Sequence, residues 1–395
     1  MLKFKRLSIL TVITAVFLSG LFIVQASADS TQVEEGMSVD TAVVVAAAGH
    51  GGEHGEEPFN PGDVIMEHVL DAHDWHLWGE GDHAVSIPLP VIIYSSRGLV
   101  AFPSSHFHHG HSTHRGYMLH KREGEKKYSI VAVIEPAQID PHVAVIDEEV
   151  TATLIDLSIT KNVAVIFISG TLLVLIMLSV AKAYTRRKGM APKGLQSLIE
   201  PLIIMIRDDV AKPSIGHKYE RFMPYLLTVF FFIFLNNLLG LIPFFPGGAN
   251  LTGNVSVTLT LATITFVIQL LNTNKNFWGH VLAMPGVPKP ILLILTPIEI
   301  LGVFLRPFVL MVRLFANITA GHIVALSFIS MIFIFKESFG TGGAYGISVF
   351  SMLMYAFMGF LELLVAFLQA YVFTLLSAIY FGAAVEEHHH EEAHH

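Results

Sequence analysis

The chain has 395 residues, of which 53% are hydrophobic and only 14% charged, and its formal net charge is -8. Soluble globular chains are about a quarter charged, so this composition excludes a soluble enzyme, and the missing basic excess excludes a nucleic-acid binder. The shortage is uneven: 29–161 is ordinary in polarity, whereas 162–381 is one apolar run after another. That split predicts a mainly α, polytopic membrane protein with a small exported N-terminal domain carrying some β-strand. There is no cysteine, which rules out disulfides, thiolate metal sites and cysteine nucleophiles.

The first residues fit a secretory signal over 1–28. Lys3, Lys5 and Arg6 precede an apolar stretch over 7–24, and Ala26-Ser27-Ala28 fits a small-x-small cleavage site. A mature start near Asp29 would leave 29–158 outside the cytoplasm. Within it, 29–63 reads as a flexible leader and 66–78 as a short helix. The β-branched, alternating segments 84–102, 127–136 and 142–157 read as strands. The run HFHHGHSTH (106–114) gathers His106, His108, His109, His111 and His114. Zinc or copper could use such imidazoles, but a solvated loop or a contact with neighbouring subunits accounts for them better, and no metal or cofactor is assigned.

Five apolar blocks follow within 159–385. The first, 162–183, ends at Arg186, Arg187 and Lys188, which places that end in the cytoplasm and agrees with an exported N-terminus. Segment 194–210 is too polar, and too broken by Pro201, to span, and reads as an interfacial helix. Spans near 223–242 and 254–271 come next. A helix over 291–335 would run about 68 Å, against a hydrocarbon core of about 30 Å. That block must tilt, kink at Pro297 or Pro307, or fold back. The last block, 347–381, is also too long to stand upright. The tail EEHHHEEAHH (386–395) would end in the cytoplasm.

Charges inside these blocks are the informative residues. An Arg at a membrane helix centre costs about 2.5–3.5 kcal/mol on insertion scales. Arg313 sits among Phe308, Val309, Leu310, Met311, Val312, Leu314 and Phe315, too far from either boundary to snorkel out. It reads as functional, with a structural ion pair to Glu299 or Glu362 as the bland alternative. Seven-residue steps keep Glu299, Arg306 and Arg313 within about 40° of one helical stripe, with Asn317 one turn further on. His322 lies about 180° round. Glu362 and Gln369 share a face of the last block. A His and a Glu from different helices make a plausible proton relay, since both titrate near neutrality when desolvated. A guanidinium keeps its proton in nearly any environment, so Arg313 can attract a partner's carboxylate without relaying a proton, as a barrier between two half-channels requires.

Three stretches carry a resemblance: RFMPYLLTVFFFIFLNNLLGLIP (221–243), RPFVLMVRLFANITAGH (306–322) and LQAYVFTLLSAIY (368–380), with GNVSVTLTLA (253–262) in agreement. Together they are similar to the a subunits of rotary F-type ATP synthases over about 159–382. The resemblance implies that Arg313 matches the stator arginine facing the ring of c subunits. It implies that Asn317, Gln369 and Glu299 match polar positions along the proton path. At the positions of His322 and Glu362 the acid and imidazole are exchanged relative to many bacterial members, which preserves one of each. The long region before 159 departs from the family. The resulting expectation is a non-catalytic, proton-translocating stator subunit of the bacterial inner membrane. Its partners would be the c-ring, b-type peripheral stalk subunits, the catalytic head and the lipid bilayer. A zinc transporter with a His-rich capture domain is the alternative, and a lone mid-membrane Arg, which repels a dication, speaks against it. A membrane-anchored binding protein would need only one or two spans.

Overall fold

In the computed structural model, the described residues are Gly62, 70–78, 85–110, 112–121, 128–134, 145–242, 247–282 and 287–385. The expected signal over 1–28, the 29–63 leader apart from Gly62, and the 386–395 tail lie outside them.

The N-terminal domain is built from short antiparallel strands. Strands β1 (Asp74–Trp78) and β2 (Val85–Pro88) pair with each other. Strand β3 (Pro90–Ser95) is central between β4 (Gly98–Pro103) and β7 (Ile155–Asp156), and β5 (Tyr117–His120) pairs with β6 (Ser129–Ala132). The period-2 pattern of β3 turns Val91, Ile93 and Ser95 inward. Val91 and Ile93 join Phe102, Phe107, Tyr117 and Ile130 in one buried cluster. The Tyr117 hydroxyl lies 2.7 Å from Ser95 Oγ, so the ring is buried without stranding its oxygen.

Two expectations are corrected here. The helix expected over 66–78 is strand β1 where that segment is described at 74–78, because Trp75 and Leu77 turn onto the membrane bundle while the backbone pairs with β2. The strand expected over 142–157 is interrupted by helix α1 (Glu148–Ala152). Asp147 caps it by accepting the Val150 N–H at 3.1 Å, and Glu148 and Glu149 suit the positive end of its dipole.

The domain is joined to the first span without a free linker. After β7, Leu157 N and Ile159 N still donate to Ile92 O and Pro90 O, each at 2.9 Å. Helix α2 (Lys161–Arg186) then begins with no side-chain cap from Thr160. The cap comes instead from far away in sequence: Asp71 Oδ1 accepts the Asn162 N–H at 3.0 Å, and Ala72 O accepts that of Lys161 at 2.8 Å. Trp75 packs into the same cluster as Val165 and Leu173 of α2.

Beyond α2, helix α3 (Leu195–Met205), a π-helical stretch Ile206–Ala211, the short α4 (Lys212–Ile215) and a 3-10 turn lead into α5 (Tyr219–Leu241). Helix α6 (Val255–Leu271) bends by 104° into α7 (Lys275–Leu282). Helix α8 (Lys289–Val385) has two arms, and its one break in helical geometry is at Gly340, with φ of 66° and ψ of -167°. Only glycine takes that conformation without strain. Pro297 and Pro307 lie inside the first arm without breaking it. The arms, about 75 and about 67 Å long, form a hairpin, so the fold-back occurs at 340 and not within 291–335. The far end is locked down: Asn274 donates from its backbone to Ala384 O and from Nδ2 to Val385 O, and a Cβ on Gly382 would collide with the Ser214 backbone.

At the domain's base, His73 is only 4% exposed and its Nε2 lies 2.8 Å from Asp156 Oδ2. Burial works against the Asp156 carboxylate, but the hydrogen bond and charge of His73, with bonds from Ser158, hold it below the ordinary aspartate range. Its folded value lies below the unfolded one, so the stability it contributes is complete above the unfolded value of about 3.9. That stability is lost as pH falls through the folded value. Acidification below about pH 4 should therefore speed hydrogen exchange in β3 and β7. Asp156→Asn should flatten this acid dependence, and an unaltered dependence in the variant would contradict the assignment.

Candidate functional site

Among the described residues, a cavity of about 170 Å³ with several polar side chains in its lining lies between α5, the 249–252 loop and both arms of α8. Helix α5 contributes Asn236 and Asn237, which are buried despite lying in an apolar span. Asn237 is fixed on both sides: its Nδ2 donates to Ala366 O at 3.1 Å, and its Oδ1 accepts from Thr252 Oγ1 at 2.6 Å. Asn250 Oδ1 accepts the Gly253 N–H, which closes the loop. Across the cavity, His322 Nδ1 and Glu362 Oε1 are 3.8 Å apart. The carboxyl can come this close because position 321 is glycine; a Cβ there would stand 3.0 Å from Glu362 Oε1. Asn236 Oδ1, Asn250 Nδ2 and Glu362 Oε1 are buried without a hydrogen-bond partner among the described residues. Polar atoms so placed are normally satisfied by water, and the cavity that they line is large enough for several molecules.

Asn317 lines this cavity and is also exposed on the outer surface of the first arm. One turn earlier, Arg313 is exposed in the middle of that arm. Among the described residues it makes no ion pair or hydrogen bond, whereas Leu310 and Leu314 beside it are buried. The expected alternative pairing of Arg313 with Glu299 is not found. Glu299 Oε1 instead lies 4.0 Å from Arg306 Nη2, and Glu362 faces His322. The Arg306 guanidinium stands over the rings of Tyr380 (5.5 Å) and Phe277 (5.8 Å), and its Nη1 is buried without a hydrogen-bond partner among the described residues.

The structure therefore divides the predicted residues into two groups. His322, Glu362 and Asn317 meet at the cavity, whereas Glu299 lies with Arg306 and Tyr380 toward the ends of the arms. Gln369 is buried on the second arm. The contacts of Gly321 with Glu362 and of Arg306 with Tyr380 set the hairpin register, which brings Gln369 level with 314–317. Between the groups lies an apolar layer in which Leu310, Met311, Leu314, Ala370 and Phe373 are buried. Sequence reasoning gave no site role to Asn236, Asn237, Asn250, Arg306 or Tyr380. The available signals were the adjacent asparagines within an apolar run and the place of Arg306 on the Glu299–Arg313 stripe.

In the N-terminal domain the rings of His106 and His114 lie 4.3 Å apart, centroid to centroid. Burial first, then the neighbouring His106 and Arg115, lowers the pKa of His114. Among the described residues, no three His, Asp or Glu side chains come together as a metal site.

A family model described as ATP synthase A chain matches residues 163–382, and one described as a domain of unknown function matches 64–154. The chain is 46% identical over 244 residues to "ATP synthase subunit a" of Chloroherpeton thalassium, covering 60% of this chain and 70% of that one. It is 47% identical over 247 residues to "ATP synthase subunit a 2" of Chlorobaculum tepidum, covering 60% and 66%. With "ATP synthase subunit a" of an Anaeromyxobacter species it shares 37% identity over 271 residues, covering 65% and 63%. These matches displace the zinc-transporter alternative. By the extent of the match and by its multi-pass apolar helices, the chain belongs to the family of F-type ATP synthase a subunits, the proton-translocating membrane-sector subunits of that complex.

Proposed function

We propose that the chain provides two offset aqueous half-channels to a rotating ring of carboxylate-bearing c subunits, and that Arg313 separates them. The observation that carries this reading is an exposed mid-membrane guanidinium without a partner of its own among the described residues, flanked by one polar group on each side of an apolar layer. The cost of placing an Arg there, about 2.5–3.5 kcal/mol, is offset once a partner supplies a carboxylate.

On this reading, a signal over 1–28 exports the domain of 29–158, and Arg186, Arg187 and Lys188 hold the end of α2 in the cytoplasm. The C-terminus is then cytoplasmic too, and the cavity at Asn236, Asn237, His322 and Glu362 opens toward the outside. A proton entering there passes His322 and Glu362 and reaches a ring carboxylate near Asn317, with Gln369 alongside. The neutralised carboxylate can then travel through lipid. After nearly a full rotation it meets the inner group, Glu299 with Arg306 and Tyr380, and discharges toward the cytoplasm. Arg313 keeps the passing carboxylate ionised and, because it retains its own proton, blocks a direct path through the apolar layer. The chain itself breaks no bond; ATP chemistry belongs to the catalytic head, reached through the ring and the b-type peripheral stalk.

Replacing Arg313 by Gln should abolish ATP-driven proton pumping in inverted vesicles while the complex still assembles, and normal pumping would refute the assignment. Gly240 offers a separate check on the outer path, since a Cβ there would stand 3.4 Å from Ala249 O and 3.8 Å from His322 Nε2. Gly240→Leu should fill the cavity mouth and lower proton flux by about tenfold or more, a barrier increase of about 1.4 kcal/mol. Unchanged flux in an assembled complex would place the path elsewhere.

A further inference from the structure

The N-terminal domain carries a sheet face that its own core does not use. Alternation in β3 and β4 turns Val91, Ile93 and Phe102 inward, which leaves the opposite side of the hairpin to Pro90, Ile92, Tyr94, Leu99, Ala101 and Pro103. All six are apolar or aromatic, and five of them are exposed, with Leu99 at 66% and Tyr94 at 52%. Ile155, opposite Tyr94, and the exposed Leu157 extend the face onto β7 and the segment after it. A soluble half-buried sheet places polar residues on this side, and contiguous exposed apolar patches mark interaction surfaces.

The nearby charges are withdrawn from it. Arg97, in the β3–β4 turn, points to the other side, where it bonds Asp147 Oδ2 at 2.6 Å and the carbonyls of Gly116 and Val133. Asp156, between Ile155 and Leu157, turns to His73. The sheet is also joined directly to the first apolar helix. Leu157 and Ile159 remain hydrogen-bonded to β3, and α2 begins at Lys161, so the sheet's membrane-proximal end is fixed to the first span.

We propose that the sheet lies along the outer leaflet of the bilayer with this face down, so that Tyr94 and Leu99, at the end of the hairpin farthest from α2, also reach the headgroup–acyl boundary. An uncharged surface of this kind matches lipid better than a charged partner subunit, and tyrosine is enriched at that boundary. Binding of this type grows with the apolar area buried, and the tether to α2 removes the cost of bringing the sheet to the membrane. The inference rests on the exported-domain orientation proposed above, not on the half-channel reading, so the two can fail separately.

The chain has no native cysteine, so single Leu99→Cys and Tyr94→Cys variants can each carry an environment-sensitive fluorophore. The test uses the assembled complex in phosphatidylcholine vesicles, with reactive cysteines of other subunits removed. Leu175→Cys on the exposed side of α2 serves as the lipid reference, and Glu149→Cys on α1 as the water reference. Bromine on the acyl chains and iodide in solution are the two quenchers. Labels at 94 and 99 should resemble the 175 reference, with strong bromolipid quenching, weak iodide quenching and a blue-shifted emission. Quenching that resembles the 149 reference would overturn the proposal by placing the face in water. Protection from both quenchers would overturn it as well, because another protein surface would then cover the sheet.

Discussion

A guanidinium cannot stand in hydrocarbon without compensation, and Arg313 is exposed and makes no ion pair or hydrogen bond among the described residues of its own chain. The rest of the membrane architecture follows from that constraint. The other ionisable groups of the α8 hairpin's core are engaged in pairs that leave Arg313 out: Glu299 with Arg306, and His322 with Glu362. Their separation is maintained by the buried Leu310, Leu314 and Phe373, side chains that offer a proton nothing to bind. A charge is thus displayed on the surface while acceptors are hidden on either side of it. Such an arrangement is costly in isolation and sensible only beside a partner of opposite charge.

Placing these groups requires close approach of the helices at particular points, and small residues permit it. Gly321 lets the Glu362 carboxyl lie against the first arm, Gly340 turns the hairpin, and Gly382 admits the Ser214 backbone at the far end. Asn237 joins the hairpin to α5 through Ala366 and to the 249–252 loop through Thr252. Losing one partner of such a buried bond costs about 1–3 kcal/mol, so the same side chain that lines the cavity also fixes its walls. The N-terminal domain is attached with similar economy: Asp71 caps a helix that begins 90 residues later in the chain, and Trp75 enters the bundle core.

Much of the membrane part was legible in the sequence because hydrocarbon is a strict solvent. Apolar run length gave the blocks, and each charge inside them had to be there for a reason, which singled out Arg313, Glu299, His322 and Glu362. Periodicity also placed His322 opposite Arg313 on the helix. Relations set by tertiary contact were not legible. Asn236 and Asn237 stand out as polar in an apolar run, but nothing local says what they bond, and Arg306 could not be assigned to Glu299 until Phe277 and Tyr380 closed around it. In the N-terminal domain the alternation of 84–102 marked its strands correctly. The segment 66–78 misled, because its apolar residues serve two neighbours at once, the β2 strand and the membrane bundle. At 142–157 the cap formed by Asp147 outweighed β-propensity.

The central claim is that aqueous access to the site is split at Arg313, and sided chemical modification tests it most directly. In vesicles of known orientation, Asn237→Cys and Tyr380→Cys would each be exposed to an impermeant thiol reagent, from one side and then from the other, with Arg313 intact. The account predicts that position 237 reacts only from the side of the N-terminal domain and position 380 only from the side of the C-terminus. Reaction of either position from both sides would contradict it, because the apolar layer would then not divide the two paths.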